Sequence, residues 1–191
     1  MSGIRVISGS ARGRRLKRVP GRDTRPIGDL VKEALFNIIG FDIRDAALLD
    51  LFGGTGSVGI EALSRGAARA VFLDTSRLAV ETIRANLSVT DFSDWSEVMQ
   101  TDALTYLERP PRTGFDYIYI APPQYQNLWA AALHCIDKAS SWLNPDGWAI
   151  AQIHPSEFSG LELNQLTLFD RRRYGNTMLC FYSLPQRDEE I

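Results

Sequence analysis

The sequence predicts an α/β fold: a mostly parallel seven-stranded sheet, covered by helices and finished by an antiparallel hairpin. Three observations predict it. From residue 47 onward, apolar runs of strand length alternate with amphipathic segments of helix length. The runs are apolar on both faces, as strands sandwiched between helices must be. Near the end, residues 163–184 hold two strand-like runs around "RRYGN" with no helix-length segment between them, so these should pair as a hairpin.

The elements follow in order. "IRVIS" and "RRLKRV" flank "GSARG" and read as an N-terminal hairpin. "TRPIGDLVKEALFNIIG" reads as a helix, with Pro26 just before it and Gly40 at its end. Leu30, Ala34, Leu35, Ile38 and Ile39 are expected to share its buried face. "ALLDLF" (47–52), "RAVFLD" (69–74), "SEVMQTD" (96–102), "FDYIYIAP" (115–122) and "GWAIAQI" (147–153) read as strands. Helices are expected at 57–65, 76–89, 103–108 and 127–143. "QRDEEI" reads as a charged, frayed tail. The division is a basic extension and helix over 1–44 and one compact unit over 45–191.

A chain of 191 residues, 45% hydrophobic and 23% charged, suits one soluble domain. No apolar run approaches the roughly 20 residues that span a bilayer, and "MSGIRVISGSARGRR" has no signal-type apolar core. The expectation is a cytoplasmic monomer without a membrane association. Cys135 and Cys180 are isolated from each other and from histidine at ligand spacing, so they read as reduced, buried thiols, and no metal site is expected. His134 and His154 read as structural histidines.

Net charge is −2, but its distribution is uneven. Residues 1–25 hold Arg5, Arg12, Arg14, Arg15, Lys17, Arg18, Arg22 and Arg25 against Asp23 alone, leaving 13 basic and 22 acidic residues elsewhere. A basic arm on an acidic body places a polyanion over one face. The candidate RNA-binding set is Arg12, Arg14, Arg15, Lys17, Arg18 and Arg25, with Arg171, Arg172 and Arg173 as a further patch or a solvated turn.

"LLDLFGGTGSVGIEAL" carries Gly54-x-Gly56-x-x-Gly59, a loop that turns tightly and brings backbone amides toward a ligand at a helix N-terminus. Nicotinamide, flavin and adenosylmethionine sites all use this pattern. Asp50 discriminates among them. A carboxylate before the loop repels a pyrophosphate but suits the ammonium group of S-adenosylmethionine. Asp74 ends the next strand 20 residues after Gly54, where a ribose-binding acid belongs. Asp102 ends a third strand and either accepts from an adenine amine or caps the helix that follows. The candidate cofactor-binding set is Asp50, Phe52, Gly53, Gly54, Thr55, Gly56, Asp74, Thr75, Ser76, Asp102, Ala103 and Leu104. A parallel sheet with a closing hairpin is the arrangement of class I S-adenosylmethionine-dependent methyltransferases, which the ordinary dinucleotide fold lacks. A nicotinamide-dependent oxidoreductase is the competing reading.

The fourth strand runs into "APPQY". A proline-rich corner with an aromatic can hold a planar amine: proline is rigid and leaves carbonyls unpaired. The candidate catalytic set is Ala121, Pro122, Pro123, Gln124 and Tyr125.

In this order, "RVISGSARGRRLK", "TRPIGDLVKEALFNII", "LDLFGGTGSVGIEALSRGA" and "YIAPPQY" resemble the RsmD family over nearly the whole chain. The resemblance implies a class I methyltransferase that acts on a guanine N2 of ribosomal RNA within small-subunit particles, using S-adenosylmethionine. The family's corner reads DPPY or DPPF, so Ala121 removes an acid and the aromatic falls one residue later. Gln124 with the Pro122 carbonyl is the expected substitute. An RNA-binding or assembly factor with lost catalysis, and an amino-methyltransferase for another substrate, are the alternatives.

Overall fold

The computed structural model describes residues 3–21 and 27–185. One seven-stranded sheet runs β3-β2-β1-β4-β5-β7-β6. Its strands are β1 Ala47–Asp50, β2 Arg69–Asp74, β3 Ser96–Gln100, β4 Phe115–Ile120, β5 Leu143–Ile153, β6 Thr167–Tyr174 and β7 Thr177–Ser183. β1 to β5 pair in parallel, and β7 enters antiparallel between β5 and β6. This is the class I methyltransferase arrangement. The helices are α1 Asp29–Ile39, α2 Ser57–Ser64, α3 Arg77–Thr90, α4 Ala103–Leu107 and α5 Leu128–Lys138. One core lies between the sheet and α1, α2 and α3, and the other between the sheet, α4 and α5.

Three expectations change. The segment 127–143 is not one helix: α5 stops at Lys138, a short 3₁₀ turn spans Ser140–Trp142, and β5 begins at Leu143. The N-terminal hairpin is reduced to a single bridge, Arg5 opposite Arg15, flanked by bonds from the Val6 amide to the Arg14 carbonyl and from the Leu16 amide to the Ile4 carbonyl. The neighbouring amides bond elsewhere, Ile7 and Ser8 to Glu61 and Lys17 to Asn86, and the turn also bonds to α2. The Ser10 amide donates to the Ser64 carbonyl (2.8 Å), and the Ala11 amide to Ser64 Oγ (3.0 Å). Finally, α1 buries Val31, Lys32, Leu35, Phe36 and Ile39, while Leu30 is 71% exposed. The predicted Pro26 and the tail 186–191 lie outside the described residues.

A buried ion pair explains the rotation of α1. Lys32 and Glu61 are both fully buried, with Nζ 3.6 Å from Oε2. Lys32 Nζ donates to the Arg5 carbonyl (2.7 Å). Glu61 accepts from the amides of Ile7 (2.8 Å) and Ser8 (2.9 Å) and from Arg65 Nε (2.9 Å). Burial pushes the Lys32 amine down, and the Glu61 carboxylate opposes that shift. A lysine amid an apolar stripe reads as solvated, so the sequence pattern placed the stripe one position away. Glu61 thus joins the arm, α1 and α2 in one cluster.

Breaking a buried pair leaves an unpaired charge, which costs about 3–5 kcal/mol. Glu61→Ala should lower the unfolding free energy, measured by urea denaturation, by an amount in that range, and Glu61→Gln, which keeps an acceptor for the arm's amides, by less.

Candidate active site

The five parallel strands end at one edge of the sheet. Asp50 ends β1, Asp74 ends β2, Asp102 follows β3, Ala121 follows β4 and His154 follows β5. Ligands of open α/β sheets bind beyond such an edge.

The loop after β1 is tightly folded. Gly56, the N-cap of α2, has φ +76°, where a side chain would be strained. A Cβ at Gly59 would lie 2.3 Å from the Phe72 ring, so only glycine lets α2 press against β2. The amides of Gly53, Gly54 and Gly56 are spent inside the fold, on the Leu73 carbonyl (2.7 Å), Asp74 Oδ2 (3.0 Å) and the Gly53 carbonyl (2.7 Å). The expected cradle of glycine amides is therefore not offered to a ligand at these three positions. Among the described residues, two buried polar atoms flanking this loop lack a partner instead: Asp50 Oδ1 and Ser57 Oγ. The Asp50 carboxyl is pushed up to about 7, chiefly by burial; the Phe52 amide pulls it down and the Asp74 charge pushes it further up. A buried acceptor of this kind gains most from an ammonium group, which would restore its charge and fill its vacant hydrogen bond.

Asp74 Oδ1 also accepts from the Ser76 amide (2.8 Å), so the loop and the start of α3 orient this carboxylate. Ser76 caps α3, and Asp102 caps α4 by accepting from the Thr105 amide (2.9 Å). Thr75 is exposed, Phe52 and Leu104 are half-buried, and Thr55 and Ala103 are buried. Every predicted cofactor-binding residue thus lies at a strand end, in the loop that follows or at the start of the next helix.

At the corner, Ala121 and Pro122 are half-buried and Pro123, Gln124 and Tyr125 exposed. Tyr125 is not a core residue: it is 68% exposed and holds φ +62°. A side chain seldom adopts this conformation without support. The support is Glu157, whose Oε1 accepts from the Tyr125 amide (2.7 Å) and whose Oε2 accepts from the His154 amide (3.0 Å). The Tyr125 and His154 rings stand 5.8 Å apart at 47°. Sequence reasoning missed Glu157 and set His154 aside. Their signal was "HPSE", a capping box that closes the turn after β5. His134, expected to be structural, is exposed on α5; Cys180 is buried but Cys135 only half-buried, and both are free thiols.

Arg12, Arg14, Arg15, Lys17 and Arg18 are all exposed; Arg25 lies outside the described residues. They do not gather at the carboxyl edge. Arg14 donates to the Val89 carbonyl at the far end of α3 (3.2 Å), and α3, at 14 residues, is ~20 Å long. Lys17 lies beside mid-helix Asn86, which accepts from its amide (2.7 Å) and donates to the Thr55 carbonyl (2.9 Å). The Arg14 side chain thus lies at the far end of α3, while the Lys17 backbone reaches Asn86, which joins it to the cofactor loop. Arg171, Arg172 and Arg173 lie on β6 at the sheet's edge: Arg171 sits over the Phe158 ring, Arg172 pairs with Asp170, and Arg173 donates to the Gly175 carbonyl.

Two cavities, of about 460 and 400 Å³, lie elsewhere, the first around Asp116 and Trp148 at the strands' amino ends and the second around Phe41 and Arg44. Among the described residues no helix is long and apolar enough to cross a membrane, and no group of three His, Cys, Asp or Glu is placed to hold a metal ion.

The family described as Conserved hypothetical protein 95 matches residues 4–183. YlbH of Bacillus subtilis is 38% identical over 94% of this chain and 98% of its own. Ribosomal RNA small subunit methyltransferase D of Haemophilus influenzae is 35% identical over 75% of each chain. The chain belongs to the RsmD family. The solved structure of yhhF from Escherichia coli matches it with a TM-score of 0.86 at 26% identity, covering 97% of this chain and 100% of that one. S-adenosylmethionine is the methyl donor of RsmD-family and related methyltransferases. The residues here fit it: Asp50 Oδ1 awaits a donor, and Asp74 and Asp102 stand at the next two strand ends.

Asp50 also sets a pH dependence. Its native value of about 7 lies above the unfolded 3.8. The native state therefore binds the proton more tightly. The resulting stability is full below about pH 4 and is lost as pH rises through 7, up to ~4 kcal/mol in all. Urea midpoints of the ligand-free protein should fall between pH 5 and pH 8, and Asp50→Asn should flatten that fall.

Proposed function

We propose that this protein transfers a methyl group from S-adenosylmethionine to the exocyclic N2 of a guanine in small-subunit ribosomal RNA. The observation that carries the reading is the exposed Tyr125, held in a strained conformation on a Pro-Pro corner, at the same sheet edge as a buried carboxylate with one unpartnered oxygen. The names of the Haemophilus influenzae and Escherichia coli relatives, both ribosomal RNA small subunit methyltransferase D, support the RNA substrate.

When bound, S-adenosylmethionine supplies a methyl group activated by a sulfonium. The chain's residues do the remaining work. A guanine amine is conjugated with its ring and is a poor nucleophile, so its placement matters most; positioning contributes ~7–11 kcal/mol in favourable cases. Tyr125 stacks on the flipped base. The Pro122 carbonyl and the Gln124 amide oxygen accept from the two amine hydrogens. These groups accept hydrogen bonds but not protons, so the proton released on transfer leaves to water at the exposed lip. Arg12, Arg14, Arg15, Lys17 and Arg18 contact phosphates along α3 and position the RNA without reading its sequence. Arg25 is assigned to the same set.

The test is transfer of labelled methyl to small subunits that lack the modification. Tyr125→Ala should lower kcat/KM for the particle roughly ten- to a hundredfold, the worth of one base stack. Gln124→Ala should lower kcat roughly tenfold, as loss of a positioned hydrogen bond does. One observation favours a second reading: Ala121 offers no side-chain acceptor where the family has an acid. If the protein binds the particle but transfers nothing, it is a non-catalytic RNA-binding factor.

Phosphate contacts make affinity salt-dependent. Replacing Lys17 and Arg18 together by alanine should weaken RNA binding and reduce the slope of log affinity against log salt by about 1 to 2.

A further inference from the structure

The β4–β5 register brings a second amide to the position where the corner lacks its acid. Ile120 lies opposite Ala151, so the next residues on the two parallel strands, Ala121 and Gln152, are neighbours at the carboxyl edge. Side chains alternate along a strand. Ala149 and Ala151 of β5 face the α4–α5 core, whereas Ile150 faces the α1–α2 core together with Tyr119 of β4. Gln152 falls on the Ile150 side, and Ala121 packs against the same core.

Gln152 is half-buried, and its Oε1 accepts from the Tyr119 hydroxyl at 2.5 Å. Tyr119 is buried next to Asp50 in the sheet, and burial, followed by the Asp50 charge, raises its hydroxyl well above the ordinary value. The hydroxyl therefore stays protonated and remains a donor. Its bond distinguishes the two ends of the amide, which otherwise rotates between oxygen and nitrogen. So held, the amide keeps one acceptor lone pair and two donors. A guanine with its N2 at the corner carries next to it N1–H, a donor, and then O6, an acceptor. One amide complements that pair by accepting from N1–H and donating to O6.

Resting on the methyl-transfer reading, we infer that Gln152, oriented by Tyr119, reads the N1–H and O6 edge of the target base and selects guanine. Gln124 and the Pro122 carbonyl hold the amine; Gln152 identifies the ring that carries it. The half-buried position on a strand end suits selection: a rigid group left unpaired by the wrong base penalises that base.

The experiment uses small-subunit particles assembled on RNA with either guanine or 2-aminopurine at the position mapped by the transfer assay. 2-Aminopurine keeps the amine but lacks N1–H and O6. The wild-type protein should prefer guanine by on the order of tenfold or more in kcat/KM, as one well-placed bidentate contact gives. Gln152→Ala should bring that ratio below about threefold by slowing guanine alone, with adenosylhomocysteine affinity unchanged; Tyr119→Phe should give an intermediate ratio. Gln124→Ala should slow both substrates together and preserve the ratio. The assignment is overturned if Gln152→Ala leaves the ratio intact, or if it slows both substrates equally, as a packing role would. If the wild-type protein methylates neither RNA, the methyl-transfer reading falls, and the assignment with it.

Discussion

The position of the basic arm depends on one buried carboxylate. Glu61 sits on α2, the helix that the glycine loop launches, and accepts from two successive amides of the arm while pairing with Lys32 of α1. A buried ion pair is not in itself a strong source of stability, since desolvation offsets much of the attraction. Its value here is geometric. Lys32 has Glu61 as its buried counter-charge, and Glu61 also holds Arg65 and the arm's amides, so α1, α2 and residues 5–8 are drawn into one arrangement. The register between the candidate RNA-binding segment and the cofactor loop is then set by chemistry and not by a flexible linker.

The loop and the strand-end acids show how the same edge is made rigid and yet kept incomplete. The glycine amides close on the loop's own carbonyl and on β2, which fixes the backbone without a ligand. The side chains of Asp50 and Ser57 are left short of partners. A buried orphan polar atom is costly, and such costs persist where a bound group removes them. In the reading proposed here, rigidity and affinity reside in different atoms: backbone bonds for shape, one unpartnered carboxylate oxygen for the ligand.

The corner follows the same division. Tyr125 gains nothing from the core and holds a backbone conformation that its side chain disfavours, and Glu157 secures it from a segment 32 residues away. Strain held by a carboxylate clip places an aromatic ring in solvent beside the strand end. The loss of the family's acid at position 121 is set against two amides nearby, Gln124 in the corner and Gln152 on the neighbouring strand, which serve different edges of the base in the reading proposed here.

Composition and periodicity were enough for the layered α/β class, a mostly parallel sheet and the closing hairpin, because a strand buried on both faces and a two-sided helix pattern are local properties; the strand order came from the fold. The acids near the strand ends were legible too, although β1 stops at Asp50 and β3 at Gln100, each two residues earlier than its expected end. Other features were decided by contacts between distant residues, which no local pattern records. The burial of Lys32 needed Glu61; the N-terminal hairpin is truncated where its amides bond to Glu61, Asn86 and Ser64; the clip on Tyr125 needed Glu157. Gln152 became a neighbour of Ala121 only through strand register. The sequence by itself determined the succession of strands and helices; the tertiary structure decided several of their ends and which polar groups meet there, because a buried charge or amide is assigned its role by the partner that the fold brings to it.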